Sequence, residues 1–357
     1  MLNEYLKINL YNFNNQGGLD LITISACLIV KDEEKILRRC LDCIKVFADE
    51  IIIVDTGSTD NTKQIAGEYT DKIYDFTWIN DFSAARNESF SKATMDYIYV
   101  ADADEVIDAK NINKILELKK AMLPEIEIVQ MLYTNQLLHN TTYNYDVELR
   151  PKIYKRIRNF RWVNPIHESV ELSPIIYDSD IEIIHLPLSN HAKRDFSTFR
   201  NAIARGEELS KKLKNMYAKE LFIAGDKEDF LEAEEYYKSL LNEIVTLDEL
   251  KVIQCVLVKA ARYKGDFNEL MKNALKNVAN EKASAEVCYE LGEYYYELCD
   301  YKEAIIWFYN AAYETESELN IHNSGDYPLK RLWQCYEKLG DMEQANTYKK
   351  EYESWTL

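Results

Sequence analysis

Three acids at the end of an apolar run are the residues of this chain best suited to chemistry. Tyr97-Ile98-Tyr99-Val100-Ala101 leads directly into Asp102-Ala103-Asp104-Glu105. Aromatic, β-branched and aliphatic residues in succession read as a buried strand. Packing gives carboxylates no reason to sit at such an end. Their use there is to hold a hard divalent cation, which takes oxygen ligands and leaves open positions for phosphate. In open α/β sheets, ligands lie just beyond the carboxyl ends of strands. Asp102 and Asp104 therefore mark a candidate metal–diphosphate site. In so acidic a chain an Asp-x-Asp also arises by chance, and a solvated loop is its bland alternative.

Three upstream features join it. Ile51-Ile52-Ile53-Val54 runs into Asp55-Thr56-Gly57-Ser58-Thr59-Asp60-Asn61-Thr62, where Gly57 permits a tight turn and the polar side chains can hydrogen-bond a base or ribose. Val30-Lys31-Asp32-Glu33-Glu34 places polar groups after the first strand. Asn80-Asp81-Phe82-Ser83-Ala84-Ala85-Arg86-Asn87 opens a helix whose free N–H groups and Arg86 suit a phosphate. Several such clusters at strand ends of one parallel sheet are far less probable by chance than any one of them.

The elements that must position these groups alternate. Strands are expected at Leu21–Val30, Glu50–Val54, Lys72–Tyr74 and Tyr97–Ala101, with helices at Glu33–Val46, Asp60–Tyr69 and Ser83–Ala93. That order predicts an α/β, Rossmann-like, mostly parallel sheet with helices on both faces. Further strands are expected at Ile126–Tyr133 and Ile181–Ile184. From about Phe196 helical periodicity takes over. Leu291-Gly292, Tyr295, Ala304, Phe308 and Ala311 fit a tetratricopeptide unit. Weaker copies with turns at Gly225-Asp226, Gly265-Asp266 and Gly340-Asp341 surround it, and counting all of these units the period is ~34 to 41 residues, so the repeats are degenerate. The organisation expected is an extension over 1–20, a catalytic domain over 21–195 and a tetratricopeptide-like helical domain over 196–357.

The chain has 357 residues, 47% of them hydrophobic and 29% charged, with a formal charge of −18. That charge argues against nucleic acid or an anionic membrane surface as partner. Met1-Leu2-Asn3-Glu4-Tyr5 lacks the basic and apolar regions of a signal peptide, and no apolar run approaches the ~20 residues that span a bilayer. The seven cysteines are scattered and odd in number. A cytoplasmic protein with free thiols follows. Cys40-Leu41-Asp42-Cys43 falls mid-helix without a second pair, and reads as two small apolar residues on a helix face. Arg150 to Arg161 carries six basic residues and no acid. It reads as a rim strand or loop lining a diphosphate or acceptor cleft, with solvated edge charges as the alternative.

Between about Ile24 and His191 the chain resembles the family 2 glycosyltransferases, which have the GT-A fold. The Asp55–Thr62 loop, the Asp81–Asn87 segment and the Asp102–Glu105 motif occur in the family's order and spacing. The helical tail is similar to that of the soluble subgroup that glycosylates bacteriocin peptides and other proteins. The resemblance implies an inverting transfer of a sugar from a nucleotide-sugar, a UDP-hexose above all, to a peptide or protein side chain held by the helical domain. It implies donor contacts by Val30, Glu33, Asp55, Ser58, Arg86, Asp102, Ala103 and Arg150. Asp102 and Asp104 would be the DxD pair binding Mn²⁺ or Mg²⁺, with Asp104 favoured as the direct ligand. Trp162-Val163-Asn164-Pro165-Ile166-His167-Glu168 matches the subgroup's aromatic-x-x-x-x-His-Glu motif, placing Glu168 as general base beside His167. His185 would be a third metal ligand, with His191 as rival.

The chain departs from the family pattern at Lys31-Asp32-Glu33, where Lys-Asn-Glu is usual, and at Pro187-Leu188, where Gly-Tyr is usual. Alternatives are surface-polysaccharide synthesis and, from another class, a non-catalytic nucleotide-sensing interaction module. A nucleotidyltransferase would show a Gly-rich basic loop after the first strand, and Val30-Lys31-Asp32-Glu33 has no Gly. A homodimer is left open, since helical arrays often pair.

Overall fold

The computed structural model describes residues 21–134, 147–170, 174–187, 192–243, 246–279 and 282–356. Residues 1–20 and His191 lie outside them. The described residues fall into two compact units, one ending at residue 187 and one beginning at residue 192.

The first unit is built on an eight-stranded sheet. Its strands are β1 (Ile24–Val30), β2 (Glu50–Asp55), β3 (Ile73–Asp75), β4 (Tyr97–Ala101), β5 (Glu105–Val106), β6 (Ile128–Thr134), β7 (Glu148–Lys155) and β10 (Ile176–His185), in the order β3-β2-β1-β4-β7-β6-β10-β5. A separate hairpin pairs β8 (Trp162–Val163) with β9 (Ser169–Val170). The four strands from β3 to β4 are mutually parallel. In their register Val30 pairs with Asp55 and Leu28 with Ala101, so the carboxyl ends share one rim. The α/β, mostly parallel sheet expected from the strand–helix alternation is the fold observed, and a run of helices follows it.

The consecutive aliphatics have a plain cause: both faces are covered. Ile24, Ala26, Leu28 and Val30 pack with Leu37, Leu41 and Ile44 of helix α1 (Leu37–Ile44), and Ile112, Ile115 and Leu116 of helix α4 (Ala109–Ala121) join them. Between them in the strand, Cys27 faces the other way, to Ile52, Ile98, Ala93 and Phe90 beside helix α3 (Phe82–Lys92). A strand buried on both faces needs no polar alternation. Asp81 caps α3 by accepting from Ala84 N at 3.1 Å, and Asp108 caps α4 by accepting from Asn111 N at 2.8 Å. The helix α4 was not among the elements expected.

The basic stretch 150–161 needs correction. Residues 148–155 form an interior strand, between β4 and β6, and not a rim segment. Only its first part lies near the acidic end of β4. Lys155 pairs with Tyr97 at the opposite end of β4. Its ammonium bonds Pro124 O, Arg156 bonds Met95 O and Arg158 pairs with Glu127. Six like charges in sequence are thus divided between the two ends of the sheet. Pro151 sits in an interior strand because the register skips a residue there. Val129 pairs with Ile153 and Gln130 with Pro151, which leaves Lys152 as the extra residue of a bulge.

The second unit is helical. Asp226, Asp266 and Asp341 each cap the helix that follows them. Gly265 and Gly340 end the preceding helices at φ +75° and +78°, a conformation that other residues resist. The Gly-Asp turns read from the sequence are therefore helix-to-helix turns. Helices Ala285–Glu297 and Tyr301–Tyr309 pack as a pair, and Gly292 makes this possible. A Cβ on Gly292 would stand 2.6 Å from the Phe308 ring. Among the described residues no helix is long and apolar enough to cross a membrane. All seven cysteines are free. Cys40 is buried and Cys43 half-buried on α1.

Two stability predictions follow from this packing. Gly292→Ala should destabilise by ~1–3 kcal/mol in denaturant unfolding, since the buried Phe308 ring must move. The second concerns Glu50, buried at the amino end of β2. It accepts from Thr94 N and Thr94 Oγ1, both at 2.9 Å, from Ser25 Oγ and from Lys72. Burial pushes its carboxyl up, but Lys72 and the other donors outweigh this and bring it from 4.5 to about 2. A carboxyl depressed in the fold stabilises above its unfolded value. That contribution should fade as pH falls from about 4.5 towards 2. With Lys72 half exposed, we expect ~1–3 kcal/mol from it at neutral pH. Urea midpoints across that window should fall for the wild type and change less for Glu50→Gln.

Candidate active site

At the carboxyl rim the chain fastens its first two loops together. Asp32 has φ +54°, which Asp and Asn tolerate better than other non-glycine residues. Its Oδ1 accepts from Thr59 N at 2.7 Å, and its own N–H donates to Ser58 Oγ at 2.9 Å. An Asn could accept the first bond equally well, so the departure from Lys-Asn-Glu leaves this link intact. Glu33 N donates to Thr62 Oγ1 at 2.7 Å, and Thr56 N to Val30 O at 2.9 Å. Asp55 is 1% exposed. Its Oδ1 accepts from Gly57 N at 3.0 Å and Ser58 N at 2.9 Å, with Gly57 at φ +105°. Its other oxygen, Oδ2, is buried without a hydrogen-bond partner among the described residues. Val30, Glu33, Asp55 and Ser58 are therefore brought together at this rim.

A second cluster surrounds the turn after β4. Glu105 N closes the turn onto Asp102 O at 3.1 Å, and Cys40 Sγ meets Asp102 O at 3.3 Å. Leu186 N donates to Asp104 O at 2.8 Å, and Arg39 donates to Leu186 O. This brings His185 against the turn. Its Nε2 lies 3.2 Å from Asp104 Oδ2. Asp104 Oδ1 is buried with no hydrogen-bond partner among the described residues. Ala103 is buried. Tyr133 faces the His185 ring at 5.3 Å, and the Arg150 guanidinium lies over the Tyr133 ring at 3.9 Å while bonding Glu148. Arg150, His185 and Asp104 are thus neighbours.

Arg86 joins the remaining residues. From α3 it donates through Nε to Glu168 and through Nη2 to Asp102 Oδ1 at 3.0 Å. It also lies over the Trp162 ring at 5.3 Å. Both Arg86 and Glu168 are largely buried, with side chains 12% and 11% exposed. The hairpin bearing Glu168 is anchored to the same helix. Asn87 exchanges two hydrogen bonds with the Trp162 backbone, at 2.8 and 3.0 Å, and Phe82 N donates to Pro165 O at 2.9 Å. Asn164 and His167 take φ +76° and +47° within the connecting loop. The sequence suggested Arg86 as a phosphate ligand; here its guanidinium bridges two carboxylates. Burial pushes the Asp102 carboxyl up, but Arg86 and then Lys152 overcome this and hold it well below the usual range.

Glu105 and Lys152 complete the cluster, and the sequence did not show their relation. Lys152 Nζ contacts both Glu105 oxygens, at 2.7 and 2.8 Å, and both side chains are buried. Burial pushes the Glu105 carboxyl up to about 7, against the pull of Lys152. The interior Pro151 was the available signal, because proline in an inner strand marks a bulge.

A divalent cation suits Asp104 and His185. A buried carboxylate oxygen without a partner beside an imidazole nitrogen is an oxygen–nitrogen donor set fit for Mn²⁺. Asp102 is turned to Arg86. Among the described residues no three His, Cys, Asp or Glu side chains form a ready cage. His191 lies outside the described residues.

Residues 25–176 match the family described as Glycosyl transferase family 2. A TPR repeat-containing protein of Synechococcus elongatus is 35% identical over 155 residues, covering 43% of this chain and 37% of that protein. The SPbeta prophage-derived glycosyltransferase SunS of Bacillus subtilis is 28% identical over 238 residues, covering 62% of this chain and 54% of SunS. The chain thus spans about half or less of these relatives' lengths. A crystal structure of glucosyl-3-phosphoglycerate synthase from Mycobacterium tuberculosis, with Mn²⁺ and UDP-glucose, is similar at 13% identity and a TM-score of 0.39, over 53% of this chain and 81% of that one.

Removing Arg86 should expose the strain this cluster contains. Arg86→Met leaves Asp102 and Glu168 facing each other without their shared cation. We expect a loss of ~3–5 kcal/mol in denaturant unfolding. Arg86→Lys should lose less, since it keeps the charge but not the fork.

Proposed function

We propose that this chain, whose residues 25–176 form a family 2 glycosyl transferase domain, transfers a hexose from a UDP-sugar to a peptide or protein side chain with inversion. The observation that carries the reading is the buried, partnerless Asp104 Oδ1 beside His185 at the carboxyl end of β4. A buried carboxylate oxygen is costly to leave unpaired unless something is to bind it.

In this reading Asp55, Glu33, Ser58 and Val30 hold the nucleoside. The free Asp55 Oδ2 accepts a base or ribose donor. Asp104 and His185 would hold Mn²⁺ or Mg²⁺, with Asp102 beside them. The bound ion supplies Lewis-acid stabilisation of the departing diphosphate. Arg150 and Ala103 line the diphosphate side. Glu168 takes the acceptor's proton as the new bond forms, with His167 next to it in the loop. Arg86 fixes the Glu168 carboxylate relative to Asp102, which sets the base against the donor rather than gripping the diphosphate itself. A single in-line displacement needs no enzyme nucleophile.

The acceptor class rests on the helices. Stacked helical pairs of the tetratricopeptide kind offer extended surfaces suited to peptides. We assign residues 21–195 to catalysis and 196–357 to acceptor binding.

The test is a panel of UDP-, GDP- and dTDP-sugars, with and without Mn²⁺. Hydrolysis and thermal stabilisation by one donor should require the metal. Asp104→Ala should lower turnover by ~100-fold or more while leaving the fold intact. An intact protein that neither binds nor hydrolyses any donor would overturn the reading.

A further inference from the structure

The geometry points to Glu105 and Lys152 as positioning residues: a buried ion pair that clamps the Asp102–Asp104 turn for the cation. The inference rests on the glycosyltransferase reading and extends it to two residues that touch neither donor nor acceptor in that scheme.

Lys152 is the extra residue of the β7 bulge, two residues after Arg150. An extra residue in one strand re-aims a side chain. Here it delivers an ammonium to both oxygens of Glu105. Glu105 in turn accepts from Asp102 N at 3.3 Å through Oε2. The bond chain therefore runs from the strand Glu148–Lys155, through Lys152 and Glu105, to the backbone of the first acid. Glu105 also pairs in register with His185, since β10 and β5 are antiparallel there. One residue thus adjoins both ends of the candidate metal pair. Lys152 lies 5.6 Å from the centre of the Tyr99 ring, and Tyr99 is wholly buried, so the ammonium is fixed by packing as well as charge.

A pair of this kind is a poor way to gain stability, because desolvation offsets the attraction. An apolar pair would serve the core as well. What an apolar pair cannot do is accept the Asp102 N–H. Partners one step removed from a metal commonly alter its affinity by about 10–100-fold. Positioning, not stability, is the use that distinguishes Glu105.

Two double variants separate these roles. Glu105→Gln with Lys152→Met removes the ion pair but keeps an acceptor for Asp102 N. Glu105→Met with Lys152→Met removes both. Binding of Mn²⁺ in the presence of UDP is read from the free-ion signal in electron paramagnetic resonance, beside donor hydrolysis and thermal melting. We expect both proteins to bind Mn²⁺·UDP more weakly than wild type: the Gln/Met protein by about three- to tenfold, because its acceptor has lost the ammonium that aims it, and the Met/Met protein by at least about tenfold, each with a matching fall in turnover. Should the Met/Met protein not fold, Glu105→Lys with Lys152→Glu takes its place. It keeps opposite charges but sets a donor against the Asp102 N–H, and the same weakening is expected. Wild-type affinity in a folded Met/Met or exchanged protein would overturn the inference and leave the pair a purely structural one. Failure of the wild type itself to bind Mn²⁺·UDP would instead remove the glycosyltransferase reading beneath it.

Discussion

The rest of the first unit is arranged around one electrostatic problem: three carboxylates in four residues at the end of a buried strand. Glu105 is buried and Asp104 nearly so, Asp102 stays partly exposed, and acids packed this closely need compensation. The fold supplies a different answer for each. Asp102 receives the guanidinium of Arg86, Glu105 the ammonium of Lys152, and Asp104 the imidazole of His185 on one oxygen only. The unmatched oxygen of Asp104 is thus the remainder of a nearly balanced set. This is where an added cation would gain most, since its neighbours are already neutralised.

Supplying those partners dictates much of the architecture. Arg86 must come from a helix that begins beside the acidic turn, and Asp81 caps that helix. Lys152 comes from a strand next to β4, where a bulge at Pro151-Lys152 re-aims its side chain. His185 must come from the end of β10, which reaches the turn because β5 pairs with it. The formal charge of −18 is therefore a poor guide to the site. Locally, Arg86 and Lys152 are each set against acids of the site.

The sequence made the frame legible wherever the signal was local. Apolar runs in Ile51–Val54 and Tyr97–Ala101 read as buried strands, and both are. Carboxylates after the second of these could not be packing residues, so the turn stood out. The Asp55 loop was equally plain, because Gly57 has to take a positive φ. What escaped depended on partners far away in the chain. Glu105 and Lys152 are 47 residues apart, and Arg86 and Glu168 are 82 apart. A buried lysine and a rim lysine look alike in a basic run, so 150–161 read as one surface when the sheet divides it. Helix Ala109–Ala121 was an avoidable omission, since Asp108 followed by Ile112, Ile115 and Leu116 carries both a cap and a period.

In the proposed reading, in which Glu168 is the base and a cation lies beside Asp102, Arg86 ties the two halves of the chemistry together. Its guanidinium has five N–H donors in one plane. One is given to Glu168 and one to Asp102, and the ring of Trp162 lies close to the guanidinium carbon. A carboxylate that is to accept a proton and a carboxylate beside the cation are thereby held at a fixed separation by a rigid fork. Charge brought to the Asp102 side must alter what Arg86 can offer Glu168, because the same delocalised cation serves both. Entry of a cation and diphosphate would then be felt at the base through a single side chain, with no movement of the sheet. The hairpin carrying Glu168 is fastened to the helix of Arg86 by Asn87 and Phe82, which holds the two side chains in one local frame.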